Sequence, residues 1–361
     1  MANTRFEKTE KTIGIPRAMS YYWNYPFYYG FFTSLGIKPI LSDKTTTRII
    51  DMGVEKVVSD TCFPIKVYLG HLLNLLEKGC DTIFVPSFQS FGYKINNCSK
   101  IRGLPEIVRN VIDKPFRMIE PTIDKTEGIS LKNFCFDIAH DFDIYDEDII
   151  NSAIKSGWTV YNNFRKMTNI GINYDKALNF AINGKLVLKP ESDDVPKLLS
   201  VAIMAHGYNL FDERVSMNLI KKLEKMGVRV YTSLNVDSDD ALNSIRELGE
   251  IQYWANELEL TGTAAYYMLN KKIDGILALS AFGCGPDSLM AEEISYHAKE
   301  RNIPMIHLNI DEHTGEAGYN TRIEAFVDML FRKKRKVLDN YKLIKNTNIE
   351  PEEKTLAAIS A

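Results

Sequence analysis

Three of the five cysteines in this 361-residue chain stand where ligand chemistry is usually done. Cys62 lies in Asp60-Thr61-Cys62-Phe63-Pro64, Cys98 precedes the helical run 104–112, and Cys284 lies in Phe282-Gly283-Cys284-Gly285-Pro286. Each is read as following a strand and preceding a helix: Val57-Val58 before Cys62, residues 82–86 and a polar loop before Cys98, and residues 276–279 before Cys284. In an open α/β sheet such turns lie at the carboxyl rim, where ligands bind. A helix N-terminus beside a thiol lowers its pKa and favours the thiolate, the metal-binding form. Cys80, just ahead of the strand 82–85, falls at the opposite rim, and Cys135 falls among helical segments; both read as buried structural residues.

Thiolates select soft metals, chiefly zinc and iron–sulfur clusters. Structural zinc sites use close pairs such as Cys-x-x-Cys, and the chain has none. Three dispersed cysteines suit a 4Fe–4S cluster with one iron left for water, substrate or an outside ligand. A three-cysteine zinc site and a nucleophilic cysteine paired with His206 or His313 are the competing readings. His71 suits that pairing poorly, because it should point along the helix that Cys62 starts. The catalytic residues are not legible; Lys66, one turn after Cys62, and Glu316, in Thr314-Gly315-Glu316, are candidates. Their alternatives are a surface lysine and a helix cap.

The elements that must position these residues form two passes of one grammar. The first runs strand 11–17, aromatic helix 24–35 closed by Gly36, strand 36–42, helix 45–53, then the first two cysteine turns and the strand 116–120. The second starts near Leu199: strand 201–205, helix 215–226 closed by Gly227, strand 227–233, the Cys284 turn and the strand 305–311. Gly36-Ile37-Lys38 is echoed by Gly227-Val228-Arg229, and Met118-Ile119 by Met305-Ile306, in the same order. The fold class is therefore α/β, with two related, mainly parallel halves. The predicted boundaries are 11–125 for the first domain, 126–196 for a helical insertion, 197–345 for the second domain, which ends in a long helix from about 320 to 342, and 346–361 for a frayed tail. Cys98 and Cys284 fall in equivalent turns of the two halves. The aromatic run 21–29 is read as packing a helix into the core rather than lining a pocket.

Composition bounds the function. With 45% hydrophobic and 25% charged residues and a formal net charge of −3, the chain has no nucleic-acid footprint. No run approaches the ~20 apolar residues that cross a bilayer, and the polar start lacks a signal-peptide core. A cytoplasmic protein is expected, in which the cysteines do not form a disulfide framework. No phosphate-binding glycine loop is present.

Gly14-Ile15-Pro16-Arg17-Ala18, Asp60 to Lys66, Ala281-Phe282-Gly283-Cys284-Gly285-Pro286-Asp287 and Thr314-Gly315-Glu316-Ala317-Gly318 resemble the acyl-CoA dehydratase activase-related proteins, relatives of the 2-hydroxyacyl-CoA dehydratase subunits. The resemblance covers about residues 12–335. It implies two Rossmann-like domains with a cubane held by Cys62, Cys98 and Cys284, or a sulfide-bridged double cubane shared between the two chains of a homodimer. It also implies reduction by an ATP-hydrolysing iron–sulfur activase acting in trans, oxygen sensitivity, and a small substrate at a cleft, an acyl-CoA in the dehydratase version. The chain departs from the family pattern at Cys98, which is followed by Ser99 rather than proline. A non-enzymatic two-lobed binding or regulatory protein without a cluster is the alternative expectation.

Overall fold

The structure, a computed structural model, describes residues 11–92, 95–189, 197–249, 254–270 and 273–347. It comprises two units. The first is Met1–Glu191 with Gly207–Val215 and Gln252–Asn256; the second is Ser192–His206, Ser216–Ile251 and Glu257–Ala361.

In the first unit, β1 (Thr12–Ile15) leads to α1 (Tyr21–Ser34), β2 (Lys38–Leu41), α2 (Thr47–Val54), α3 (Phe63–Glu77) and β3 (Thr82–Phe84). Next come β4 (Ser87–Gly92), β5 (Ile95–Asn96), α4 (Ser99–Arg102), α5 (Leu104–Val111), β6 (Arg117–Ile119) and β7 (Thr122–Asp124). The helices α6 (Leu131–Asp141), α7 (Glu147–Asn169) and α8 (Tyr174–Ile182) follow. β8 (Leu199–Met204) opens the second unit, and α9 (Gly207–Leu210) returns to the first. The second unit continues with α10 (Leu219–Lys225), β9 (Val228–Tyr231), α11 (Ser238–Glu247), α12 (Ala255–Asn270, from Glu257 onward), β10 (Gly275–Ala281), α13 (Gly285–Glu300), β11 (Met305–Ile310) and α14 (Glu316–Thr347).

The two main sheets share one topology. The first has the order β2-β1-β3-β6 and the second β9-β8-β10-β11, every pairing parallel. The strands that echo one another in sequence thus take matching places, as two related Rossmann-like halves require. Parallel neighbours need crossover connections, so the helices cover the sheets and the central strands read as unbroken apolar runs. β10 is buried at all seven positions. Its Ile276 packs with Met204, Leu260, Tyr267, Met290 and Ile294 in the second core. In the first core, Phe84 of β3 meets the edges of Tyr28, Phe32 and Phe134 at 4.9–6.1 Å between ring centres. Burying each such side chain is worth about 1.5–3 kcal/mol. The aromatic helix α1 is accordingly a core element.

Several local expectations are corrected. Val57-Val58 forms no strand: two apolar residues between Lys56 and Ser59 are too few for a ladder, and Val58 is 74% exposed. The polar loop ahead of Cys98 contains β4 and β5, which with β7 make a third sheet in the order β5-β4-β7. Helix α10 starts at Leu219 rather than at Val215, because Met217 and Asn218 adopt left-handed backbone (φ 49° and 57°) and interrupt the helical run. Of the segment expected to be a helical insertion, α6, α7 and α8 are helices and residues 190–196 lie outside the described residues; α7 packs on α1 within the first unit, where Trp158 meets Phe27 edge-on at 5.3 Å. Of the predicted tail, residues 346 and 347 continue α14 and residues 348–361 lie outside the described residues.

Candidate functional site

Each of the three singled-out cysteines is the residue immediately before a helix. Cys62 precedes α3, Cys98 precedes α4 and Cys284 precedes α13, and all three have extended backbone (φ −61°, −63° and −87°). Proline in the first turn of α3 and of α13, Pro64 and Pro286, suits a position whose N–H has no helical partner. The helix α3 crosses back to the parallel strand β3, so its N-terminus lies at the carboxyl rim, and the same holds for α13 between β10 and β11. Left-handed Gly283 (φ 78°) makes the turn from β10 into Cys284. All three cysteines are half-buried, whereas Cys80 and Cys135 are buried. Burial pushes the Cys80 thiol up and the Cys135 thiol up to about 12. Those two are inert core residues.

The Cys62 turn is held from behind by Lys66. That side chain is 3% exposed, not at the surface, and its Nζ donates to the Ser59 carbonyl at 2.8 Å, so it ties α3 to the loop that delivers Cys62. Helix α3 is itself set by a close crossing with α2. A Cβ on Gly53 would stand 1.8 Å from the Lys66 carbonyl, and one on Gly70 would stand 1.8 Å from the Ile49 carbonyl. Thr61 and Lys100, next to the Cys62 and Cys98 turns, line one open groove of about 420 Å³ with Lys56, Val58, Ile107 and Val111. The first-unit cysteine turns therefore border a common surface.

A polar network lies beneath the carboxyl rim of the first sheet, and sequence reasoning missed it. Arg17, two residues past β1, donates its backbone N–H to Ser42 Oγ and its Nε–H to the Ser42 carbonyl, both at 2.8 Å. Ser42 Oγ lies 2.8 Å from His71 Nδ1, and His71 Nε2 lies 2.9 Å from Thr45 Oγ1. Thr45 and Tyr22 both donate to Asp212 Oδ2, the latter at 2.9 Å. Burial, helped by the nearby Arg17 charge, holds the His71 imidazole down at about 3. His71 thus serves this network as a neutral bridge between two hydroxyls. The signal available in sequence was the polar residues at the ends of two strands, Arg17 and Ser42; the partner Asp212 lies too far along the chain to be matched by pattern.

In the second unit, His206 follows β8, Glu257 sits in the first turn of α12, and Asp287 sits in the first turn of α13, three residues after Cys284. The three side chains are 1–6% exposed, with His206 Nε2 2.7 Å from Asp287 Oδ1 and 3.5 Å from Glu257 Oε1. Burial alone would lower the imidazole pKa, but the carboxylates of Asp287 and Glu257 more than offset it and hold it well above the usual histidine value. One imidazolium against two carboxylates leaves a buried negative excess. Such an ion costs several kcal/mol when uncompensated, and a helix N-terminus returns at most about 2 kcal/mol. Because the strand order reverses between β8 and β10, these residues sit at the switch point where doubly wound sheets bind ligands.

The remaining candidates are placed as follows. Glu316 is the first residue of α14 and its Oε1 accepts from Lys222 Nζ at 2.7 Å, an arrangement that suits a helix start. His313 is 83% exposed, 3.9 Å from Glu312. Among the described residues no helix is long and apolar enough to cross a membrane.

Three half-buried thiols thus stand at helix starts of an α/β protein with two topologically matched parallel sheets. Residues 12–236 match the family described as the CoA enzyme activase uncharacterised domain (DUF2229), and the chain belongs to that family. Residues 256–330, which contain Glu257, Cys284 and Asp287, match the 2-hydroxyglutaryl-CoA dehydratase D-component, so the chain is an activase-related relative of the dehydratase subunits. No curated protein matches the chain at a significant level.

Proposed function

We propose that the chain is an iron–sulfur protein that receives low-potential electrons from an ATP-hydrolysing activase in trans and delivers them to a small substrate. Cys62, Cys98 and Cys284 are the thiolate ligands. The observation that carries this reading is that only these three of the five cysteines are both half-exposed and placed at helix starts. The donor set fits the group: thiolates are the normal ligands of such clusters, and each cysteine is the residue just before a helix. Two copies of the chain supply the six thiolates of a sulfide-bridged double cubane, which makes a homodimer the working assembly. Phe282 and Leu289, on either side of Cys284 in sequence, are 65% and 67% exposed, apolar surface suited to cover by a partner or substrate.

The cluster, when bound, supplies one-electron chemistry at a low potential. The residues of the chain do the rest. Lys66 fixes the loop ahead of Cys62, Gly283 permits the turn into Cys284, and the crossing of α2 with α3 sets the position of the first thiol. The substrate class is a small molecule, an acyl-CoA thioester if the relationship to the dehydratase subunits extends to activity. The cytoplasm, where reduced activase and ATP coexist, is the compartment this function needs.

The test is iron and acid-labile sulfide per chain, with a visible spectrum, on protein purified without oxygen. About four irons per chain with a brown colour, lost in the Cys62→Ser, Cys98→Ser, Cys284→Ser triple variant and kept in Cys80→Ser, is the expected result. Colourless, iron-free protein after anaerobic reconstitution would sink the proposal.

A further inference from the structure

The buried cluster of His206, Glu257 and Asp287 plays no part in the thiolate site, yet its charge and geometry ask for a ligand. We infer that these three side chains bind a single divalent first-row cation of mixed nitrogen and oxygen preference, such as Zn²⁺ or Mn²⁺, at the switch point of the second sheet. The donor atoms of all three lie within 4.8 Å of one another. The separations of 2.7 and 3.5 Å from His206 Nε2 bracket the edge of a coordination polyhedron, which is about 3.0–3.5 Å for metal–ligand bonds near 2.1 Å. Two carboxylates and a neutral imidazole around a divalent ion sum to zero charge, which removes the buried negative excess. An imidazolium in the same place does not.

A second observation points the same way. Asp287 is 1% exposed, and its Oδ2 has no hydrogen-bond partner among the described residues. Buried polar atoms rarely go unsatisfied. Thr261, one helical turn beyond Glu257 on the same face of α12, is also buried, with Oγ1 lacking a hydrogen-bond partner among the described residues. A cation between α12, α13 and the end of β8 satisfies Asp287 Oδ2. Imidazole with carboxylates is the donor set of borderline divalent ions rather than of soft, thiolate-seeking ones.

The experiment uses the full chain, freed of metal by chelation and refolded from urea without oxygen, in the presence and absence of Zn²⁺ or Mn²⁺. Cation bound per chain is counted by elemental analysis, and bound Mn²⁺ is followed by electron paramagnetic resonance. One Mn²⁺ per chain, an ion that thiolates do not select, is expected in the wild type and equally in the Cys62→Ser, Cys98→Ser, Cys284→Ser triple variant, so failure of the thiolate site leaves this result untouched. Glu257→Gln and Asp287→Asn should each weaken binding by about 100-fold or more, with folding checked by circular dichroism. Binding should also raise the melting temperature of the wild type, by mass action, but not of the folded variants. No cation bound by the refolded wild type, binding lost in the triple cysteine variant, or binding unchanged in both carboxylate variants would each overturn the inference.

Discussion

His71 shows how one buried side chain makes stability depend on pH. Its folded value of about 3 lies below the ordinary 6.5, so the unfolded chain takes up a proton that the folded chain refuses. The stabilisation is complete above pH 6.5 and is lost as pH falls from there toward 3. At about 1.4 kcal/mol per unit, the loss is at most about 5 kcal/mol. Urea melts at pH 7 and pH 4 should show a steep loss for the wild type and a shallower one for His71→Gln. The thiols make a second prediction at this scale. In cluster-free protein at pH 8, a small alkylating reagent should modify Cys62, Cys98 and Cys284 and spare Cys80 and Cys135, read by peptide mass spectrometry. Burial raises the pKa of the spared pair, and the thiolate is the reacting form.

Among the elements, the packing of α2 on α3 governs where Cys62 stands. The two helices touch backbone to backbone at Gly53 and Gly70, where an added Cβ meets a carbonyl at 1.8 Å. A main-chain carbonyl cannot rotate aside as a side chain can, so the helices must separate. Gly70→Ala should cost about 1–3 kcal/mol and lower the melting temperature by several degrees. The displaced N-terminus of α3 should also reduce iron retained after anaerobic reconstitution. Gly315→Ala is the control: beyond its chain neighbours no atom of the described residues lies within 4 Å of the added carbon, and the melting temperature should shift by less than a degree or two. The turn before Cys284 is restricted for a different reason. Gly283 has φ 78°, and Gly283→Ala should cost roughly 1–2 kcal/mol of backbone strain.

At the scale of the molecule, the units are interleaved in sequence. The chain passes between them at residues 191, 206, 215, 251 and 256. The short piece Gly207–Val215 belongs to the first unit and carries Asp212, whose carboxylate accepts from Tyr22 and Thr45. It also carries Phe211, which stacks on Tyr174 at 4.7 Å. A fragment ending at Glu191 loses both and leaves the buried Tyr22 hydroxyl without its acceptor, at about 1–3 kcal/mol. Such a fragment should melt non-cooperatively or aggregate, while the full chain gives a sigmoidal transition by circular dichroism.

Local pattern and repeated order were enough to set out the two parallel sheets, the matched places of their strands and the helices that start after Cys62 and Cys284. Such features depend on periodicity, turn residues and proline placement within a few positions of one another. The short sheet β5-β4-β7 was not legible, because residues 87–96 alternate too weakly to announce strands. The break before α10 was also hidden, since left-handed backbone at Met217 is not signalled by residue type and Asn218, a type that tolerates it, does not announce it alone. The deepest gap concerns charge. His206, Glu257 and Asp287 lie 51 and 30 positions apart in sequence, and Arg17, Ser42, His71 and Asp212 are as scattered. Only tertiary folding brings such residues within hydrogen-bonding distance and removes the water that would screen them. Lys66 makes the same point singly. Its place one turn after Cys62 followed from helical spacing, but its burial against the Ser59 carbonyl was decided by the packing of α2 on α3.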